Sequence, residues 1–346
     1  MALLEVENLD VRFYTEGGVV QAVDGLSYSL ERGERLGVVG ESGAGKTVTA
    51  LALLDLLDDP GRIEGGSIRF DGEEVLDAPP ERLRHLRGGE IGMVFQDPET
   101  ALNPVYTVGE QVAEAVRVHT DRVGEAAHDR AVALLERVGI PDPASRATQY
   151  PHEFSGGMAQ RVVVAMALAG DPALLIADEP TTGLDVTIEA QLLDLLDDLA
   201  ADDLAVQLVS HDLGVVAGFC DRVLVMYAGQ AIERAPVDDL FYEPKHPYTA
   251  GLLSAIPRLG DDRDRLATVP GTTPDLASPP PGCRFHPRCP YAEAACTKRD
   301  PPLADSGDTG DHQAACLAYV DDADFDGNLD FFVEVAGDED DGEADP

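Results

Sequence analysis

"GESGAGKT", residues 40–47, is the stretch on which the fold turns. It satisfies the pattern G-x-x-x-x-G-K-[ST] at every fixed position. The apolar run "RLGVVG" (35–40) reads as a buried strand entering the loop, and "KTVTALALLDLL" (46–57) leaves it with helical periodicity. Strand, glycine-rich loop and helix, in that order, let successive backbone N–H groups surround a phosphate at a helix N-terminus. Gly40, Ser42, Gly43 and Gly45 keep the backbone close to the anion, Lys46 reaches the β/γ oxygens, and the Thr47 hydroxyl is a ligand for Mg2+.

A phosphate loop that hydrolyses also needs a metal holder and a base. "ALLIADEP" (173–180) offers both at the end of an apolar strand. Asp178 is placed to hold Mg2+, directly or through water, and Glu179 to polarise the attacking water. Acids after a strand are ordinarily solvated loop residues; behind a phosphate loop in the same α/β pattern they take these roles. From Leu3 to Phe70 short apolar runs alternate with turns, including a hairpin at Asp71-Gly72, and "IGMVFQ" (91–96) is another buried strand. Between about residues 97 and 168 the periodicity is helical, in "VGEQVAEAVRV", "RAVALLERVG" and "GGMAQRVVVAMALA". Strands "ALLIAD", "LAVQLVS" and "RVLVMY" then alternate with helices. The expected class is α/β: a P-loop NTPase (RecA-like) core with a mostly parallel sheet covered on both faces. An N-terminal antiparallel β subdomain, an inserted α-helical subdomain and a C-terminal extension containing Pro and Cys complete it.

"EFSGGMAQR" (153–161) is a second stretch suited to an anion, more than a hundred residues after the first. With Gln96 after an apolar strand, "GLD" (183–185) and His211 in "LVSHD", it resembles the nucleotide-binding subunits of ABC transporters, in order and spacing over residues 3–235. The resemblance implies that "FSGGMAQR" is the signature motif, Asp185 the D-loop acid and His211 the switch histidine, with Gln96 the Q-loop glutamine at the Mg2+. It implies ATP as the nucleotide, with Lys46, Gln96, Glu179 and His211 as the catalytic set. It also implies head-to-tail pairing, so that Ser155, Gly156 and Gly157 meet the γ-phosphate of ATP held by a second ATPase subunit. A lone chain then hydrolyses poorly, because stabilisation of the transferred phosphoryl is incomplete. Adenine in this family stacks on an aromatic near the N-terminus, here Phe13 or else Tyr14. Phe154 replaces the signature's usual leucine and Met158 its usual glutamine, a variant similar to the peptide-importer branch.

"HPYTAGLLSAIP" (246–257) and "PGCRFHPRCPYAEAAC" (281–296) resemble the C-terminal extension of oligopeptide/dipeptide-type importers, including relatives that carry nickel or oligosaccharides. The expected organisation is a nucleotide-binding domain over 1–235, with its helical subdomain at about 97–168. An extension follows over 236–320, then an acidic tail over 321–346 whose last dozen residues are disordered. Cys283, Cys289, Cys296 and Cys316 suit a [4Fe–4S] cluster or a zinc ion, or are unliganded thiols. Cys220 reads as a core residue. The resemblance implies as partners a second ATPase subunit, either a copy of this chain or, as is common in this branch, a different one, with two transmembrane permeases and an extracytoplasmic binding protein.

Asp and Glu total 65 against 25 Lys and Arg, a formal net charge of -40. Nucleic-acid binding over such a surface is excluded for want of basic patches, which leaves a soluble ABC ATPase of DNA or ribosomes the weaker rival. A surface this acidic suits the molar salt of a halophile's cytoplasm, where the Debye length is about 3 Å. The N-terminus "MALLEVENLDVRF" has no basic segment leading into an apolar one, and no window reaches eighteen apolar residues. The expectation is a peripheral protein on the cytoplasmic face of the membrane.

Overall fold

The computed structural model describes residues 2–96, 98–201, 203–256, 269–307, 310–325, 327 and 329. The strands are β1 (Leu4–Thr15), β2 (Gly18–Leu30), β3 (Arg35–Val39), β4 (Gly61–Phe70), β5 (Glu73–Glu74) and β6 (Ile91–Val94), followed by β7 (Leu174–Asp178), β8 (Ala205–Ser210), β9 (Arg222–Tyr227), β10 (Gln230–Pro236), β11 (Ala304–Asp305) and β12 (Gln313–Ala314). An antiparallel sheet runs β2-β1-β4-β5, its β4–β5 turn made by Asp71 and Gly72 at φ 50° and 82°. The larger sheet runs β11-β12-β10-β9-β3-β8-β7-β6. Its strands from β9 to β6 are parallel, while β10, β12 and β11 add on antiparallel. The phosphate-loop strand β3 thus lies in the interior of the sheet.

Side chains alternate across a strand, and here the alternation feeds two cores. On β8, Val206 and Leu208 face the helical core, while Ala205 and Val209 face the core beneath the antiparallel sheet. On β9 the split is Val223, Val225 and Tyr227 against Leu224 and Met226, and on β7 Leu175 and Ala177 against Leu174 and Ile176. That double burial is why these segments read as continuous apolar runs. Each fully buried Leu or Val contributes about 1.5–3 kcal/mol over its exposed state.

The helices are α1 (Lys46–Ala52), α2 (Pro80–His85), α3 (Pro98–Ala101), α4 (Val108–His119), α5 (Glu125–Arg137), α6 (Pro143–Arg146), α7 (Gly156–Ala167), α8 (Val186–Ala200), α9 (Leu213–Phe219), α10 (Val237–Tyr242) and α11 (Pro247–Ser254). α1 is shorter than the periodicity of residues 46–57 predicts. Asp55 turns left-handed at φ 47°, and Leu56 N–H donates back to Leu51 O at 3.0 Å, a Schellman-type ending that apolar spacing does not report. Consecutive helices α3 to α7 form the inserted helical layer, with Val112, Val116, Leu134, Val162 and Val164 in its core.

The C-terminal segment joins the larger sheet. β12 pairs with β10, and Phe285 packs into the main core edge-on to Tyr227 and Tyr248, with centroids 5.3 and 5.4 Å away. Cys220, directly after α9, is buried in the same core. The acidic tail's expected disorder concerns the last dozen residues, which lie outside the described residues, as does Asp97 at the start of the helical segment. Among the described residues no helix is long and apolar enough to cross a membrane.

Candidate nucleotide site

Gly40, Gly43 and Gly45 carry φ of 156°, 80° and 104°. A Cβ on Gly40 would stand 2.2 Å from Met226 O, and one on Gly45 2.5 Å from Ala22 O. The loop therefore closes onto β9 and β2 only with glycine there. Lys46 is buried, its Nζ donating to Gly40 O at 2.7 Å and to Glu41 O at 3.2 Å. Burial holds its pKa below the usual lysine range, opposed by the charges of Glu179 and Asp178.

Thr47 Oγ1 donates to Asp178 Oδ1 at 3.2 Å, so the hydroxyl and carboxylate expected at Mg2+ already touch. Burial raises the Asp178 pKa, and neighbouring Glu179 raises it further against the Thr47 hydrogen bond. Thr47 and Asp178 would hold a divalent cation, whose charge would offset that of the buried Asp178 carboxylate. Glu179 leaves β7 at φ 47°, and its Oε2 accepts from Gln96 Nε2 at 2.9 Å and Thr182 Oγ1 at 3.2 Å. His211 Nδ1 stands 3.4 Å from the same oxygen. Residues from β6, β7 and β8 ends thus converge on one carboxylate at the C-terminal edge of the parallel sheet, where open α/β sheets take ligands.

These groups share a cavity of about 620 Å3, within the range of small-ligand sites, lined by Ser42 to Val48, Gln96, Glu179 and His211. Phe13, with Val20 and Ala22, lines its apolar part. Tyr14 lies elsewhere, exposed, its hydroxyl donating to Glu64 Oε1 at 2.8 Å. Ser155, Gly156, Gly157 and Asp185 are not among the lining residues. Ser155 caps α7, its Oγ accepting from Met158 N–H, and Gly157 packs where a Cβ would meet Ile188 Cγ2 at 2.4 Å. Asp185 caps α8, accepting from Thr187 and Ile188 N–H at 3.1 Å. The N-termini of α7 and α8 thus contribute no residue to the cavity at the chain's own phosphate loop.

Sequence reasoning missed two contributors from the C-terminal segment. Leu276 lines the nucleotide cavity, and Arg288 forks onto Glu41 of the phosphate loop. No spacing signal in an irregular, Pro-rich stretch reports either contact.

Cys283, Cys289, Cys296 and Cys316 line one further cavity with His246, Phe285 and His286. Burial pushes Cys283 up to about 12 and Cys289 to about 11, so without a metal these are neutral thiols. Among the described residues no group of three or more His, Cys, Asp or Glu is arranged to hold a metal ion. Neither the zinc nor the [4Fe–4S] expectation finds support in that arrangement.

Phosphate loop, paired acids and the Gln96–Glu179–His211 convergence define a P-loop ATPase. The model of the ABC transporter family matches residues 23–182, and that of the oligopeptide/dipeptide transporter C-terminal region matches residues 232–296. A putative peptide import ATP-binding protein of Brucella abortus is 54% identical over 88% of this chain and 92% of its own. The dipeptide transport ATP-binding protein DppD of Escherichia coli is 47% identical over 93% and 98%. An ATP-binding cassette solved as a dimer in a post-hydrolysis state with ADP and phosphate superposes with a TM-score of 0.61 at 26% identity, over 68% of this chain and 98% of that one. The chain belongs to the ATP-binding subunits of ABC transporters, in the oligopeptide/dipeptide importer family. It is an ATPase subunit of an ABC import system, with ATP and Mg2+ as its nucleotide and metal.

Proposed function

We propose that this subunit powers uptake of dipeptides or oligopeptides, working with a second, different ATPase subunit, two membrane permeases and an extracytoplasmic binding protein. The peptide cargo is supported by the names of the relatives and by the C-terminal region they share. The observation that carries the chemistry is the single carboxylate, Glu179, approached by Gln96 and His211 beside the Thr47–Asp178 pair. Lys46 and the loop amides bind the β/γ phosphates, Thr47, Asp178 and Gln96 would hold Mg2+, and Phe13 would stack on adenine. Glu179 takes the proton of the attacking water, and His211 steadies the γ-phosphate end. Bound Mg2+ offsets charge on the phosphates. Ser155, Gly156, Gly157 and Asp185 act on nucleotide held by the partner ATPase, in keeping with their absence from the lining of this chain's own cavity.

Exposed Phe95, next to Gln96 in sequence, and exposed Val105 and Tyr106 favour the segment 95–106 as the one that meets the permeases on the cytoplasmic side of the membrane. The working units are the nucleotide-binding domain (1–235), the extension (236–320) and the acidic tail (321–346). The net charge of -40 supports a salt-rich cytoplasm. For the four cysteines, which line one cavity but form no metal-holding arrangement among the described residues, the [4Fe–4S] reading rests on the family resemblance and is independent of the ATPase chemistry. Iron and acid-labile sulfide in anaerobically purified protein test it, and their absence from a folded sample removes it. The transport reading is tested by ATP-driven accumulation of a labelled tripeptide in vesicles carrying the whole complex. Uptake that needs ATP inside the vesicle supports peptide import; ATP turnover with no peptide uptake refutes the cargo.

A further inference from the structure

Arg288 lies 247 residues beyond the phosphate-loop residue it grips. Its side chain is 6% exposed. Nη1 donates to Glu41 Oε2 at 2.8 Å and Nη2 to Glu41 Oε1 at 2.9 Å, while Nε donates to Pro270 O at 2.7 Å. Glu41 also accepts from Thr273 Oγ1 at 3.0 Å, and its backbone N–H donates to Tyr248 Oη at 2.9 Å. The carbonyl of this same residue, with that of Gly40, receives Lys46 Nζ. One residue of the phosphate loop is therefore held at side chain and backbone by the C-terminal segment, and hands that position on to the phosphate-binding lysine.

A guanidinium–carboxylate fork fixes two bonds in one plane, which a point charge cannot do. Without Arg288, the Glu41 carboxylate loses its charged partner in a partly buried place. The loop it belongs to has three glycines at positive φ and so has freedom to lose on binding phosphate. Holding the loop in advance lowers that ordering cost.

We propose that Arg288 is a positioning residue for the ATPase: through Glu41 it holds the phosphate loop in its binding shape and couples ATP occupancy to docking of residues 269–289. The coupling runs both ways, as linkage requires. It rests on the nucleotide reading of the loop.

Two measurements test it in molar KCl. Affinity for a fluorescent ATP analogue, with ATPase KM and kcat, is compared across the wild type, Arg288→Ala, Arg288→Lys and Arg288→Ala/Glu41→Ala. Arg288→Ala weakens binding roughly tenfold, within the usual range of site coupling, and raises KM more than it lowers kcat. Lysine restores only part, and the double variant is no worse than Arg288→Ala. Hydrogen exchange on the unaltered protein gives the second readout: Mg-ATP slows the amides of 283–289 together with those of 41–47. A folded Arg288→Ala protein that loses thermal stability but binds ATP like wild type overturns the proposal. So does ATP that protects 41–47 and leaves 283–289 unchanged. Failure to protect 41–47 at all overturns the nucleotide reading, and the proposal with it.

Discussion

Glu179 directly follows the buried strand β7, in a left-handed conformation that few non-glycine residues adopt, at a cost on the order of 1–3 kcal/mol. The strain aims its carboxylate at Gln96 and His211 and leaves Asp178 facing Thr47. As general base it is testable by one atom's change. Glu179→Gln keeps the shape and a hydrogen-bonding group but cannot take a proton, so turnover should fall by at least about a hundredfold while ATP still binds. Turnover within a few-fold of wild type contradicts the assignment. At this scale most of the site was legible: loop glycines, Lys46, Thr47 and the paired acids stand at fixed spacing because each must reach one triphosphate. The choice between Phe13 and Tyr14 was not, since adjacent strand residues point to opposite faces and the register sets which one lines the cavity. Leu276 and Arg288 were hidden because their contacts cross more than two hundred residues of chain.

Among the elements, the parallel strands announced themselves through apolar runs, whereas the end of α1 did not. Apolar residues continue through Leu57, but a backbone hydrogen bond from Leu56 to Leu51 closes the helix first. The C-terminal segment reads as irregular yet extends the main sheet. Glu233 on β10 shows how. Fully buried, its carboxylate accepts from Lys245 N–H at 2.6 Å, His246 N–H at 2.9 Å and His312 Nε2 at 2.7 Å. It thereby ties β10 to the start of α11 and to the approach of β12. Glu233→Ala leaves these donors without a partner and should cost about 3–5 kcal/mol in a denaturant titration. A loss below about 1 kcal/mol would mean that water or a neighbour satisfies them and that the tie is dispensable.

Over the whole molecule, 65 acids against 25 bases leave a net charge of -40 that repels itself in dilute buffer. Raising KCl from about 0.1 M to 1 M shortens the Debye length from about 10 Å to 3 Å. The apparent Tm should therefore climb steadily over that interval; a flat or falling Tm contradicts salt adaptation of the surface. The partnership with other subunits also belongs to this scale. The N-terminus of α7 and Asp185 are not among the residues lining the chain's own nucleotide cavity, and the solved cassette it resembles is a dimer with ADP and phosphate bound. The most direct test of the import-machine account is purification of the tagged protein from native membranes in molar KCl, with its companions identified. Recovery of two polytopic permeases and a second ATPase subunit, with ATP hydrolysis by the recovered complex, is the predicted result. Recovery of ribosomes or nucleic-acid proteins without any permease would contradict it.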